Sequence, residues 1–304
     1  MVCFRVCLPR MVRCFGTVVK AEPGRAAFAT LAADFAGVRM NILAFDIETI
    51  PDVVTGRLLH GLDNLSDEDV ARAMFQQRRQ ETGASEFLPL HLHRVVAISV
   101  AQRYADDFRV WSLGTPQSGE AELITRFYEG IEKFTPDLVS WNGGGFDLPV
   151  LHYRALHHAI AAPRYWEIGD SETGFRYNNY LSRFHWRHTD LMDVLAGFQM
   201  RAAAPLHEIA QLCGLPGKLG MHGSRVWDTY LAGGIDSIRD YCETDTLNTY
   251  LIYLRFERMR GRMEAAGYRS ECARVREYLE RADKPHLTEF LKVWQAQTDP
   301  AAGN

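Results

Sequence analysis

Cysteine is sparse in this 304-residue chain: six residues, irregularly placed, with no Cys-x-x-Cys pair. That excludes a disulfide framework and a cysteine-seeded zinc site, and a reducing, cytoplasmic setting is the expectation. No stretch reaches the roughly 18 apolar residues of a membrane span, because Arg5, Arg10, Arg13, Lys20, Arg25, Asp34 and Arg39 interrupt the apolar runs of the N-terminal segment. Basic charge is not in surplus either. With a formal net charge of -4 and a pI near 6.3, contact with nucleic acid has to rely on local basic patches or bound cations, which weakens a passive DNA-coating role. No Gly-Lys-Ser/Thr follows the glycines at 143 to 145, and Gly217-Lys218-Leu219 does not qualify, so a Walker phosphate loop is excluded. Internal repeats and low-complexity tracts are absent. The chain does have 47% hydrophobic residues, enough for a sizeable core and incompatible with disorder throughout.

Residues 1–39 differ from the rest: they hold Cys3, Cys7 and Cys14 and six basic against two acidic side chains, with no strand or helix period. They read as an N-terminal extension, with Met40 a candidate natural start; a targeting peptide or a nucleic-acid arm is the alternative. Residues 40–298 read as one domain and 299–304 as a frayed tail. From Met40 onward, apolar β-rich runs alternate with amphipathic helical stretches, the pattern of an α/β domain. Strands are expected over Ile42 to Phe45, Val95 to Gln102, Phe108 to Leu113 and Leu138 to Trp141. The short polar turn Tyr104-Ala105-Asp106-Asp107 makes the first three an antiparallel meander. A helix over Glu120 to Phe134 precedes the fourth strand and makes it parallel to the first. Three antiparallel strands, a helix and a parallel strand is the ribonuclease H-like order. Helices are expected over Leu148 to His158, Asp190 to Gln199, Leu206 to Leu212 and Ser237 to Met259, forming a helical C-terminal part, with a polar helical insertion over residues 56–90.

Three short segments carry chemistry. In Phe45-Asp46-Ile47-Glu48-Thr49, placed at the end of the first strand, Asp46 and Glu48 are two apart and share a face about 7 Å from each other. Two like charges on a buried face are costly unless a cation sits between them; a strand end that has run out into solvent is the other reading. In Ser140-Trp141-Asn142-Gly143-Gly144-Gly145-Phe146-Asp147-Leu148-Pro149, a strand gives way to a glycine turn and a helix start. Asp147 lies at that helix N-terminus, where a capping role is also open. In Asp240-Tyr241-Cys242-Glu243-Thr244-Asp245, Tyr241 and Asp245 lie one helical turn apart on one face, an arrangement that a packed ring and a solvated charge also produce.

Successive acids are 101 and 98 residues apart, from Asp46 to Asp147 and from Asp147 to Asp245, each where a strand, a helix start or a helix face can converge. Four converging carboxylates repel unless metal is present. With two divalent ions roughly 4 Å apart the set matches a two-metal site for in-line phosphodiester displacement, with Tyr241 orienting the water. Oxygen ligands favour Mg²⁺ or Mn²⁺ over zinc.

On these residues the chain resembles the DEDD exonucleases, in the subgroup whose third motif is Tyr-x-x-x-Asp, and within it the bacterial proteins described as family B polymerase exonuclease-like. The likeness covers roughly residues 40–262. Asp46 and Glu48 resemble the first motif, Asp147 the second, Asp245 the third, and Tyr241 the water-positioning tyrosine. The resemblance implies a ribonuclease H-like fold, two metal ions and release of nucleoside monophosphates from a nucleic-acid 3′ end. No polymerase domain fits within the 304 residues, so a free-standing exonuclease is expected, with single-stranded DNA the favoured substrate. An RNA 3′-end trimmer, a structure-selective endonuclease and a catalytically weak nucleic-acid-binding module are the alternatives, and nothing points to a protein partner.

Asn142 and Phe146 are substrate candidates, since similar proteins hold terminal nucleotides with a polar and an aromatic side chain there; a turn-stabilising Asn and a core Phe are the other readings. Asp190 and Asp193 are read as helix-capping. His91, His93, His185 and His188 come in close pairs without a zinc frame and could contact phosphates. The glycine-rich basic segment from Lys218 to Arg225 could track the substrate backbone, and a flexible loop is its other reading.

Overall fold

The computed structural model describes residues 40–297. The expected N-terminal extension (residues 1–39) and tail (299–304) lie outside the described residues. Chain order begins with β1 (Asn41–Pro51), followed by α1 (Val53–His60), α2 (Asp67–Thr82), β2 (His93–Tyr104) and β3 (Asp107–Ser112). Next come α3 (Glu120–Phe134), β4 (Asp137–Ser140), α4 (Asp147–His157), α5 (Pro163–Trp166), β5 (His188–Asp190), α6 (Leu191–Leu195) and α7 (Leu206–Leu212). The last described elements are α8 (Val226–Leu231), α9 (Ile235–Met259), α10 (Ala265–Arg281) and α11 (Pro285–Ala296).

The sheet runs β3-β2-β1-β4-β5. β1 pairs antiparallel with β2, β2 antiparallel with β3, β4 parallel with β1, and β5 parallel with β4. This is the expected ribonuclease H-like mixed sheet, flanked by helices and followed by a helical C-terminal part. The polar insertion is present as α1 and α2.

Period-two alternation along β1 assigns its two faces. Leu43, Phe45 and Ile47 pack with Leu123, Ile124 and Phe127 of α3 and Leu148 and Leu151 of α4. Ile42 and Ala44 pack with Leu247, Tyr250, Leu251 and Leu254 of α9. The same alternation turns Asp46 and Glu48 towards α9. Because β1 lies between two neighbours and under helices on both sides, it is apolar almost throughout, and its two acids are conspicuous for that reason.

Three expectations are corrected. Asp46 and Glu48 are not at the end of β1: the strand continues to Pro51 because β2 stays paired with it as far as His93. The register shifts by one residue between Glu48 and Thr49. What does end beside the acids is the pairing of β4 with β1, which reaches only Ile42, Leu43 and Ala44. The expected helix from Asp190 to Gln199 is instead a fifth strand ending at Asp190 and a short helix over Leu191–Leu195. Gly197 and Phe198 both adopt positive φ (59° and 60°), a left-handed pair that stops the helix. Finally, α4 begins at Asp147 itself with Phe146 as its cap residue, so Asp147 is not the N-cap.

A buried ion network clamps the elements that carry the acids. Arg154 of α4 donates to Asp52, just after β1 (2.5 Å), and to both carboxylate oxygens of Glu120 at the start of α3 (2.8 and 2.6 Å). All three are nearly inaccessible to water. Removing one partner strands the others as unpaired buried charges, so Arg154→Ala is expected to destabilise the fold by about 3–5 kcal/mol. Urea unfolding checks this, and a loss below about 1 kcal/mol, the value of a surface pair, would contradict it.

Candidate active site

β1 supplies Asp46 and Glu48, and α9 crosses opposite them with Tyr241, Cys242 and Asp245. Cys242 sits against the strand, its Sγ 3.3 Å from the Asp46 carbonyl oxygen and 3.5 Å from Asp46 Oδ2. One ligand atom each from Asp46, Glu48 and Cys242 lies within 4.8 Å of the others, a set that could hold a metal ion.

The remaining acid arrives through the gap left where β4 stops pairing. Past Ala44 the β4 side of β1 is open, and the Ile47 amide on that edge needs an acceptor. Asp147 provides it: the Ile47 N–H donates to Asp147 Oδ1 at 3.1 Å. The glycine turn bends the chain into this position. Asn142 takes a left-handed φ of 64°, and its carbonyl accepts from the amides of Gly145 (3.0 Å) and Phe146 (2.9 Å). Asp190, from β5, accepts from the amides of Asn142 and Gly144, both at 2.9 Å. It also accepts from Asp193 N at 3.3 Å, capping α6 as expected. A Cβ added at Gly143 would lie only 2.2 Å from Ser140 Oγ, so that glycine is required by close approach.

The electrostatics tie the four acids into one unit. Burial, then Asp147, Glu48 and Asp245, push the Asp46 carboxyl well above the ordinary carboxylate range. Burial and Asp245 do the same to Glu48, opposed by the Lys218 ammonium. Burial raises Asp147 to about 7 against the pull of amide hydrogen bonds, and it raises Asp245 despite Lys218 and Tyr241. The Tyr241 phenol is driven far up by burial and by the charges of Asp245, Glu48 and Asp46, so it stays protonated. Asp245 Oδ1 is buried without a hydrogen-bond partner among the described residues. Oxygen ligands in mutual repulsion, one of them orphaned, fit a divalent cation.

Lys218 does more than border a substrate path: it reaches into the acid cluster. Its Nζ donates to Tyr241 Oη at 2.5 Å and lies 3.5 Å from Asp245 Oδ2. The loop bearing it is fastened to α9, with Asn248 accepting from Gly217 N (3.0 Å) and donating to Gly217 O (2.9 Å). Lys218 N donates to His207 Nδ1 at 3.1 Å. Gly217, at φ 66°, would set a Cβ 2.5 Å from that same His207 nitrogen. The signal in sequence is a buried-face Asn three residues beyond Asp245, which has meaning only when a facing loop is known.

The other candidates divide. Phe146 is half-buried, packing on Phe87 (5.6 Å) and edge-on against His93 (5.2 Å), so it keeps only part of its ring for a ligand. His93 bonds Thr49 Oγ1 (2.8 Å) and Leu88 O (3.2 Å). His188 bonds Ser140 Oγ (2.8 Å), and His185 accepts from Asn179 N (3.0 Å). These three histidines are therefore engaged within the fold rather than gathered round a metal.

A mixed five-stranded sheet carrying acids on its central strand and on the helices that flank it defines the ribonuclease H-like class. A comparison with curated proteins finds no match. Residues 85–294 match a family described as a predicted 3′-5′ exonuclease related to the exonuclease domain of PolB, and the chain belongs to that family.

Raised carboxyl pKa values make the metal-free fold most favoured while the acids are protonated. For Asp147 that contribution is full below its ordinary value of 3.8 and is lost as pH rises through about 7. Asp147→Asn keeps an oxygen for Ile47 N and removes the charge. At about pH 8 it is expected to stabilise the metal-free protein by roughly 1–3 kcal/mol and to flatten the pH dependence. Thermal melts across this range check it, and a variant less stable than wild type at about pH 8 in chelator would contradict it.

Proposed function

We propose that this protein is a metal-dependent exonuclease that hydrolyses the terminal phosphodiester at the 3′ end of single-stranded DNA and releases nucleoside monophosphates. The observation that carries the reading is the convergence of four carboxylates from three elements beside a protonated phenol. Asp46, Glu48, Asp147 and Asp245 would hold two Mg²⁺ or Mn²⁺ ions. When bound, such ions supply the positive charge that activates water and stabilises the departing oxyanion.

The side chains account for the rest. Tyr241, kept neutral by its surroundings, has a hydroxyl proton to hold a water in line with the scissile phosphorus. Lys218 sits against that hydroxyl and offsets part of the Asp245 charge, so it is a positioning residue for Tyr241. Asn142 and the open part of Phe146, on the turn leading to Asp147, would hold the terminal nucleotide. No described helix is long and apolar enough to cross a membrane. A cytoplasmic setting belongs to this proposal.

The test is digestion of 5′-labelled single-stranded DNA and RNA of matched sequence with Mg²⁺, with Mn²⁺ and with EDTA. A metal-dependent ladder shortening from the 3′ end, faster on DNA, is expected; faster RNA digestion would move the substrate assignment to RNA, and absence of cleavage would contradict the proposal. Asp46→Ala should lower the rate by about 10³-fold or more, several kcal/mol of charge stabilisation. Tyr241→Phe, losing one charge-assisted hydrogen bond, should lower it about ten- to a hundredfold with metal binding intact.

A further inference from the structure

A second surface adjoins the candidate site on the side of β5, and neither the family description nor the acid cluster accounts for it. Between Arg183 and Phe198 the chain exposes three aromatic rings: Phe184 is 69% exposed, Trp186 40% and Phe198 38%. Phe184 and Phe198 meet edge to face at 5.1 Å. Arg183 lies over both rings (5.9 and 5.0 Å) and is anchored to Asp193 at 2.6 Å. Trp186 carries the Arg260 guanidinium on its face at 4.1 Å. Arg201, three residues beyond Phe198, donates to the Gln199 side-chain oxygen at 3.1 Å rather than to a carboxylate. Residues 175–202 hold four arginines against two aspartates, a surplus of two positive charges in a chain whose net charge is -4.

These rings are not a scattered set. With Gly144, Asp190 and Asp193 they line one cleft of about 240 Å³. Gly144 and Asp190 also build the glycine turn that delivers Asp147, so the cleft borders the turn that carries one of the four acids. Apolar surface left in water is costly, and a patch of rings interleaved with guanidinium groups, bordered by a nuclease-like site, matches one ligand chemistry: bases to stack and phosphates to pair. A protein partner would favour a contiguous apolar centre with charge at its rim, whereas here the charges are threaded between the rings.

We propose that Phe184, Trp186 and Phe198, with Arg201, form a stacking platform for single-stranded nucleic acid, holding nucleotides upstream of the 3′ end that occupies the acid site. The proposal rests on the exonuclease reading and adds to it a determinant of affinity for longer strands. Strands too short to leave the glycine turn gain nothing from the platform, and longer ones do.

The test is fluorescence anisotropy of 5′-labelled oligothymidylates of about four and about sixteen nucleotides, in Ca²⁺ without Mg²⁺ or Mn²⁺, with oligouridylates in parallel. The Phe184→Ala/Phe198→Ala double variant should weaken binding of the longer strands by about tenfold or more, one to two lost stacks, and leave the advantage of length abolished. Phe184→Trp in place of Phe184→Ala should restore most of it, and melting curves matching wild type will show that the fold survives. Arg201→Gln should lower the slope of log affinity against log salt by about 0.7, one phosphate contact. Wild-type affinity for long strands in the double variant, whether or not its oligomeric state changes, would overturn the platform while Mg²⁺-dependent cleavage by the wild type left the exonuclease reading standing. A wild type that neither binds nor cleaves would overturn both.

Discussion

The rest of the site depends on the mutual repulsion of four carboxylates held on one face of β1 and beneath α9. Each is pushed towards protonation by burial, and for Asp46, Glu48 and Asp147 by one or more neighbouring acids as well. Without a cation this is a standing destabilisation, tempered by the ammonium of Lys218. A cation reverses its sign, because the same proximity that disfavours ionised acids makes them a high-charge ligand set. On the metal-dependent reading proposed above, the geometry is costly without metal and productive with it, the pattern expected where function and stability conflict.

Such a cluster persists only if its supports are stronger than the repulsion. Arg154 binds the end of β1, the start of α3 and the helix of Asp147 into one buried network. On the other face, Glu243 of α9 accepts from Ser112 N (2.9 Å) on β3 and from Lys284 (2.8 Å) and His286 (2.8 Å) at the start of α11. Arg103 of β2 pairs with Glu271 of α10 at 2.7 Å within the core. These ion pairs lock the sheet to the helices on each side, so that neither β1 nor α9 can relax away from the other.

Much of this is legible in the chain itself. The central strand announces itself by its apolar run, and two acids inside that run have to share a face. The Tyr241 and Asp245 pair follows from helical spacing, and Asp147 from the glycine turn before a helix. Other parts are not legible for physical reasons. His188-Thr189-Asp190 is too short to show a period, so β5 merges in the sequence with a helix that Gly197 and Phe198 actually terminate. The true extent of β1 is set by pairing with His93 to Val95, a contact distant in sequence. Lys218 enters the site through a loop fastened by Asn248 and His207, and no local pattern reports that fastening. Asp190 reads as a cap, which it is, yet its second role of holding the glycine turn exists only because β5 lies beside β4.

The most direct measurement is calorimetric titration of Mn²⁺ into the metal-free protein near neutral pH, in two buffers of different ionisation enthalpy. Crowded acids with raised pKa values must lose protons as a cation arrives. The account predicts saturable binding of two ions, accompanied by net proton release that falls when Asp147 is replaced by Asn. Binding with no proton release, or no binding at all, would contradict the claim that these four carboxylates form one cation site.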